Sequence, residues 1–199
     1  MPYEYRRMTP EQRRAVVDER RRRGYPTHSP PHPFTDAGSY LISAANHEHV
    51  AVMHSPERRS DFQAQLMLKL QASGAEVQAW VILPNHYHAL LNTSRLENIA
   101  AALQHLHGKT SREWNLADGL TGERRVWFKY VDRAIRSDRH WYCALNYVHF
   151  NPVKHGLVAD PYAWPWSSLS KYLDDYDREW LRQTWQSYPP RDFGAGWDD

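Results

Sequence analysis

The sequence predicts an α+β protein in which one antiparallel sheet of four strands carries helices on one face and is followed by a further helix. Alternating or continuous apolar residues predict strands at 39–46, 77–83, 86–93 and 126–130. Apolar residues at helical spacing predict two helices between them, at 58–72 and 96–114. The resulting order βαββαβ is that of a ferredoxin-like sheet.

The first half of this arrangement has well-marked boundaries. Phe62, Leu66 and Leu70 recur every four residues and so share one face of the first helix, which Gly74 ends. Pro84 and Asn85 are turn residues between the second and third strands. These two strands are therefore predicted to form a hairpin.

The second half consists of a long helix, a short strand and a final helix. Ile99, Leu103 and Leu106 give the long helix an apolar face. The final helix is predicted at 138–150 and is expected to stop at Asn151-Pro152. Proline lacks the backbone N–H that a helix needs, and it disfavours helical geometry in the residue before it.

The chain divides by composition into three predicted segments. Residues 1–33 form a basic N-terminal helix and linker arm, and Thr9 and Gln12 flank Pro10 in the manner of a capping box. Residues 34–168 form the folded domain, and residues 169–199 form an acidic tail that contains tryptophan. We expect this tail to dock on the domain and to restrain a basic site there.

Composition excludes several classes of protein. No apolar run approaches the length of about 20 residues that spans a bilayer, and the N-terminal residues lack the apolar segment of a secretory signal. The single cysteine, Cys143, excludes an internal disulfide and a zinc site made of cysteines. We expect a soluble, intracellular protein without a membrane partner, in which any metal ligands are histidines, amides or carboxylates.

His86 and His88 are the first candidate site residues. They alternate with Tyr87 on a predicted strand, so both imidazoles lie on one face of the sheet. Two imidazoles on one face are able to share a divalent metal ion. The spacing alone also fits structural or exposed histidines.

Tyr147 and Asn151 are the second pair of candidates. They are four residues apart on the final helix and therefore lie on the same helix face. If that face packs over the sheet beside the histidines, Asn151 completes a metal site and Tyr147 reaches a phosphate bound there. The spacing alone also fits a half-buried tyrosine and a helix-ending asparagine before proline.

Two blocks of sequence resemble a known family. Residues 79–91 (AWVILPNHYHALL) resemble the histidine-hydrophobic-histidine (HUH) segment of the IS200-like single-tyrosine transposases. Residues 147–158 (YVHFNPVKHGLV) and 164–168 (WPWSS) resemble the catalytic helix and following segment of the REP-associated tyrosine transposases. The blocks occur in the right order, and the resemblance covers residues 38–168.

The resemblance implies an enzyme that cuts and rejoins single-stranded DNA. In this interpretation His86, His88 and Asn151 bind Mg or Mn, and Tyr147 is the nucleophile. Attack on the phosphodiester gives a 5′-phosphotyrosine and a free 3′ hydroxyl, and the retained bond energy allows rejoining to another strand. The family also implies a single-stranded DNA partner with a short REP-like hairpin, and a bacterial cytoplasmic location on the nucleoid DNA.

Basic residues interleaved with aromatic ones are the candidate DNA contacts, because such a composition suits phosphate contacts and base stacking. The predicted DNA-binding residues are Lys109, Arg112, Arg124, Arg125, Lys129, Arg133, Arg136 and Arg139. The net charge of +2 is too small to identify a nucleic-acid-binding protein without them.

Other functions compete with this interpretation. A non-catalytic nucleic-acid-binding module is the first alternative, because RNA readers use the same type of sheet. A nucleotide hydrolase or transferase with alternating histidines is the second, but it needs a third histidine where this chain has Leu90. The sequence leaves open whether the protein is a monomer or a homodimer, and whether it is a mobile element or a resident relative.

Overall fold

The protein is described here by a computed structural model, which covers residues 9–12, 14, 15, 18, 38–191, 193 and 194. The chain divides into two compact units, one of residues 1–35 with 194–199 and one of residues 36–193. In the first unit, the backbone N–H of Thr9 donates to Gln12 and that of Gln12 to Thr9, at 2.8 and 3.3 Å. The predicted capping box is confirmed. Residues 10–12, 14, 15 and 18 are helical, as predicted, and the remainder of the predicted arm lies outside the described residues.

The second unit contains a four-stranded antiparallel sheet with strand order β2-β3-β1-β4. Two short 3-10 turns lie at His47–His49 and Pro161–Ala163. The predicted ferredoxin-like α+β fold is confirmed. In chain order the elements are β1 Gly38–Ala45, α1 Pro56–Ala72, β2 Glu76–Ile82, β3 His86–Thr93, α2 Leu96–Ala117, β4 Val131–Ala134, α3 Asp138–Lys154, α4 Leu169–Asp175 and α5 Arg178–Ser187.

The two faces of the sheet carry different layers. Tyr87 on β3 packs with Phe62 of α1, and both belong to the apolar core that α1 and α2 complete. Because side chains alternate along a strand, His86 and His88 lie on the opposite face. There α3 packs against β2 and β3. Within the described residues, no helix is long and apolar enough to cross a membrane.

The fourth strand lies later in the chain than the predicted 126–130. The pair Ser43–Val131 and the bridge Asn46–Trp127 are three residues apart on the side of β1 and four residues apart on the side of its partner segment. This extra residue interrupts the pairing, as a bulge does, and regular pairing with β1 begins at Val131. The predicted strand, 126–130, therefore lies just before β4 and is linked to Asn46, after the end of β1, by the bridge at Trp127. Trp127 still packs in the core.

The final helix is longer than predicted. It continues through Pro152 to Lys154. Pro152 lies in the last turn, where the backbone N–H of His155 still donates to the carbonyl of Asn151, at 3.1 Å. Gly156 follows with a positive φ of 66°, which suits a helix C-terminus. The predicted stop at Asn151-Pro152 is wrong, because the residues after Pro152 complete the turn with their own hydrogen bonds although the proline donates none.

A buried histidine in the core predicts a loss of stability in acid. The Nε2 of His107 lies 3.0 Å from the hydroxyl of Tyr87, whose pKa burial raises, and its ring stacks on Trp127. Burial lowers the pKa of His107 to about 3. Between about pH 6.5 and 3 the unfolded chain therefore binds more protons at this residue, and its contribution to stability falls by about 1.4 kcal/mol per pH unit as the pH falls.

This dependence is measurable by chemical denaturation between pH 7 and 4. His107→Gln removes the titrating group, so its free energy of unfolding should depend less steeply on pH than that of the unaltered protein. Equal slopes for the two proteins would show that His107 does not contribute to the acid sensitivity.

Candidate active site

The histidine pair is buried at the start of β3. His86 and His88 are 2% and 0% exposed, and their ring centroids lie 5.2 Å apart. The Nδ1 of His88 lies 2.7 Å from the hydroxyl of Ser43, its neighbour across the sheet on β1. The predicted placement of both imidazoles on one face is confirmed.

Asn85 determines which nitrogen of His86 carries the proton. Its Nδ2 donates to the carbonyl of His49 at 3.2 Å, so its Oδ1 is the atom that faces the Nδ1 of His86, at 2.7 Å. An amide oxygen only accepts, and Nδ1 therefore carries the proton. The lone pair of a neutral His86 is then on Nε2, which is the arrangement found in metal-binding histidines.

The helix α3 brings the second pair of candidates to the same place. The hydroxyl of Tyr147 lies 3.4 Å from the Nε2 of His88, and the Oδ1 of Asn151 lies 3.0 Å from the Nε2 of His86. Tyr147 and Asn151 are 2% and 0% exposed. All four residues singled out from the sequence thus meet in one buried cluster between β3 and α3.

The donor set of this cluster fits a divalent metal ion. The Nε2 of His86 and the Oδ1 of Asn151 both present lone pairs, and two facing acceptors are stabilised by a cation between them. Neighbouring ligands of an octahedral ion with bonds of about 2.1 Å are about 3.0 Å apart, which matches their separation of 3.0 Å. In the described part of the chain, no partner accepts a hydrogen bond from the buried Nδ2 of Asn151.

The third ligand of this set is an amide rather than a charged side chain. Among the described residues, no group of three histidine, cysteine, aspartate or glutamate side chains is placed to hold a metal ion. A site here therefore depends on Asn151. Two imidazoles and one amide oxygen are neutral ligands that suit an ion which also takes oxygen atoms of a substrate.

Three neighbours of the cluster were not among the predicted site residues. Lys154 places its Nζ 5.1 Å from the ring centroid of Tyr147. The ring of His155 packs edge-on against His86, at 4.8 Å. Phe193 packs edge-on against Tyr147, at 5.4 Å. The spacing of seven residues between Tyr147 and Lys154 would place both on one face of a continuous helix. The prediction missed Lys154 because it ended the helix before that residue.

The histidines elsewhere on α3 have structural contacts. His149 is buried, its Nε2 lies 3.0 Å from the hydroxyl of Ser168, and burial lowers its pKa to about 3. Ser168 in turn pairs with both backbone groups of Trp80 on β2. The segment 164–168 therefore links α3 to β2, at the edge of the sheet. The ring of His140 packs against Phe193.

The acidic tail docks on the helix that carries Tyr147. Asn146 of α3 donates its Nδ2 to the carbonyls of Thr184 and Tyr188, at 3.0 and 2.8 Å. Tyr142 of α3 stacks on Tyr188, at 4.6 Å. The predicted docking is confirmed for this part of the tail, and the predicted restraint of the site stays a prediction.

The predicted DNA-binding residues lie in three places. Lys109 and Arg112 belong to α2, on the opposite side of the sheet from the histidine pair, and Lys109 contacts Gln65 and Glu113. Arg124 is held by Asp118 and Asn115. The remaining ones follow the segment from 125 into α3: Arg125, Lys129, Arg133, Arg136 and Arg139. Their role in DNA binding stays a prediction.

Arg124 takes part in a triple ion cluster that explains its position. Arg58 donates to both carboxylate oxygens of Asp118, at 2.8 and 3.1 Å, and Arg124 donates at 2.7 Å. These hydrogen bonds hold the pKa of Asp118 well below its usual range, and those from Arg58 have the largest effect. Asp118, at the end of α2, thus holds both Arg58 of α1 and Arg124 of the following loop.

The fold and the site together define a class of α+β proteins, in which a histidine pair on a sheet faces a tyrosine and an amide on a following helix. No family model matches the chain. Over 97 residues it is 27% identical to the REP-associated tyrosine transposase of Escherichia coli K12, covering 48% of this chain and 55% of that protein. Over 116 residues it is 29% identical to a Haemophilus influenzae protein of the same family name, covering 53% and 66%.

A solved structure supports the same assignment of the fold. The chain resembles a REP-associated tyrosine transposase bound to a REP hairpin with a TM-score of 0.60 and 18% identity, covering 74% of this chain and 86% of that one. The matches span between about half and two thirds of the length of the curated relatives. In sequence the chain is therefore similar to REP-associated tyrosine transposases over about half of its length, and it shares the fold of one of them.

Proposed function

We propose that this protein is a single-stranded DNA endonuclease and strand transferase, a transposase that acts next to hairpin repeats through a 5′-phosphotyrosine. One observation carries the proposal: the hydroxyl of Tyr147 lies in the same buried cluster as two histidines and an amide that fit a metal ion. The names of the curated relatives support the class of reaction.

In this proposal His86, His88 and Asn151 hold Mg or Mn. An ion held by these residues would supply Lewis-acid chemistry, reducing the negative charge on the phosphate and favouring in-line attack. Asn85 and Ser43 orient the two imidazoles from the other side, at 2.7 Å each, so the ligands are prearranged before any ion binds.

Tyr147 is the group that forms the covalent bond. Its phenol loses a proton, its oxygen forms a bond to phosphorus, and the bond from phosphorus to the 3′ oxygen breaks, so that in balance one proton moves from the phenol to the 3′ oxygen. The 3′ oxygen then takes up a proton. Burial of the ring against His88 holds the hydroxyl in one position for this attack.

A tyrosine nucleophile suits strand transfer better than hydrolysis. The new phosphodiester bond to Tyr147 keeps the energy of the broken one, so a second 3′ hydroxyl is able to attack it and release the enzyme. Water would discard that energy. Burial of Tyr147 and its neighbours limits access of water to this bond.

The proposed substrate is a DNA hairpin with a single-stranded flank. A solved neighbour in fold is a REP-associated tyrosine transposase bound to a REP hairpin, which supports this choice. The basic residues from Arg125 to Arg139 continue into the N-terminal end of α3, the helix that carries Tyr147. We propose that they contact phosphates of the flank.

The proposal is tested with a panel of hairpin oligonucleotides that carry flanks on either side, each labelled at one end. After incubation with Mn or Mg, a denaturing gel should show a covalent adduct that retains only the label 3′ of the break, and chelation should abolish it. An adduct that retains the 5′ label would contradict the polarity. Binding without any adduct across the panel would favour a non-catalytic DNA-binding module.

A further inference from the structure

Lys154 lies at the end of the helix that carries the proposed nucleophile. Because α3 continues through Pro152, Tyr147, Asn151 and Lys154 are spaced by four and then three residues on a continuous helix. Residues at this spacing share one helix face. The helix therefore presents a phenol, an amide and an ammonium group in one stripe toward the site.

The side chain of Lys154 turns back over Tyr147. Its Nζ lies 5.1 Å from the centroid of the phenol ring, within the range of a cation–π contact. Tyr147 itself is 2% exposed, whereas Lys154 is exposed. The ammonium group thus lies at the boundary between the buried nucleophile and the surface from which a substrate approaches.

The chemistry proposed for this site gains from a positive charge at that boundary, in addition to that of the metal ion. The side chains of Asn151, His86 and His88 are neutral as ligands, and the phosphodiester brings a negative charge that grows as the tyrosine oxygen attacks. An ammonium group with three donors is a common partner of phosphate. We infer that Lys154 contacts the phosphate that Tyr147 attacks and acts as a further catalytic residue. This inference rests on the proposed function.

A purely structural role for Lys154 makes different predictions. A lysine in the last turn also stabilises the helix through its dipole. That role would change thermal stability and would leave the salt dependence of DNA binding unaltered. A phosphate contact instead releases one counterion, which changes the slope of log affinity against log salt by about 0.7 for single strands.

Two measurements test the inference. In a Tyr147→Phe background, with chelator present, the affinity for the tightest-binding hairpin of the panel is measured over a range of salt. Lys154→Ala should reduce the slope by about 0.7, and Lys171→Ala, an exposed lysine on α4, should leave it unchanged. With Tyr147 intact, Lys154→Ala should slow adduct formation by about 100-fold, and Lys154→Arg should recover part of the rate.

The outcomes separate this inference from the proposed function. If the unaltered protein and Lys154→Ala form the adduct equally fast and have the same salt slope, the role of Lys154 is overturned and the proposed function stands. If Lys154→Ala reduces the salt slope but no protein forms an adduct, the phosphate contact stands and the proposed chemistry is overturned. No binding of any hairpin would overturn both.

Discussion

Replacing Tyr147 with phenylalanine is expected to abolish the covalent protein–DNA adduct while leaving the fold and DNA binding intact. The substitution removes one hydroxyl, whose contact with the Nε2 of His88 is long, at 3.4 Å. The ring contacts with His88 and Phe193 remain. Because loss of a nucleophile removes the covalent route, adduct formation should fall by at least about 1000-fold, measured on a denaturing gel with a labelled hairpin and Mn.

Tyr142 offers a matched control on the same helix. It lies five residues before Tyr147 and stacks on Tyr188 away from the histidines, so Tyr142→Phe should form the adduct at the normal rate. Thermal unfolding of both variants should match that of the unaltered protein to within a few degrees. Adduct that survives in Tyr147→Phe would show that another residue is the nucleophile.

The parts of the site that follow local periodicity were predictable. Alternation on a strand places His86 and His88 on one face and Tyr87 on the other, whatever the sheet packs against. A spacing of four residues places Tyr147 and Asn151 on one helix face. The resemblance to the transposase family added the expectation that these two faces meet, which periodicity alone leaves open.

The parts that depend on long-range contacts were not predictable. The pairing of β4 with β1 shifts by one residue near Trp127, and no local pattern indicates where such an interruption falls. The helix passes Pro152 because the residues after the proline complete the last turn with their own hydrogen bonds. This second difference matters for the role proposed for Lys154, since it is what places Lys154 on the face of Tyr147.

The orientation of the histidines was also beyond the sequence. The sequence predicts only that Asn85 lies in a turn. The orientation of its amide is fixed by the carbonyl of His49, 36 residues earlier. Glu48 and His49 both have positive φ, near 55°, which is uncommon outside glycine. This unusual backbone places the carbonyl that orients Asn85, and Asn85 orients His86.

That chain of contacts leads to the second large effect, on metal binding. His86→Ala removes a proposed ligand and should weaken Mn binding by at least about 100-fold, because one of three protein donors is lost. Asn85→Leu keeps all three donors but removes the acceptor that fixes the tautomer of His86, and it should weaken binding by about 10–100-fold. His105→Ala, an exposed histidine on α2, should leave the affinity unchanged.

Calorimetric titration of Mn into the DNA-free proteins measures this order without depending on cleavage. If His86→Ala and His105→Ala bind Mn equally well, the ion does not occupy this cluster. If Asn85→Leu retains full affinity and His86→Ala loses it, His86 is a ligand whose orientation the packing of β3 and α3 maintains without Asn85.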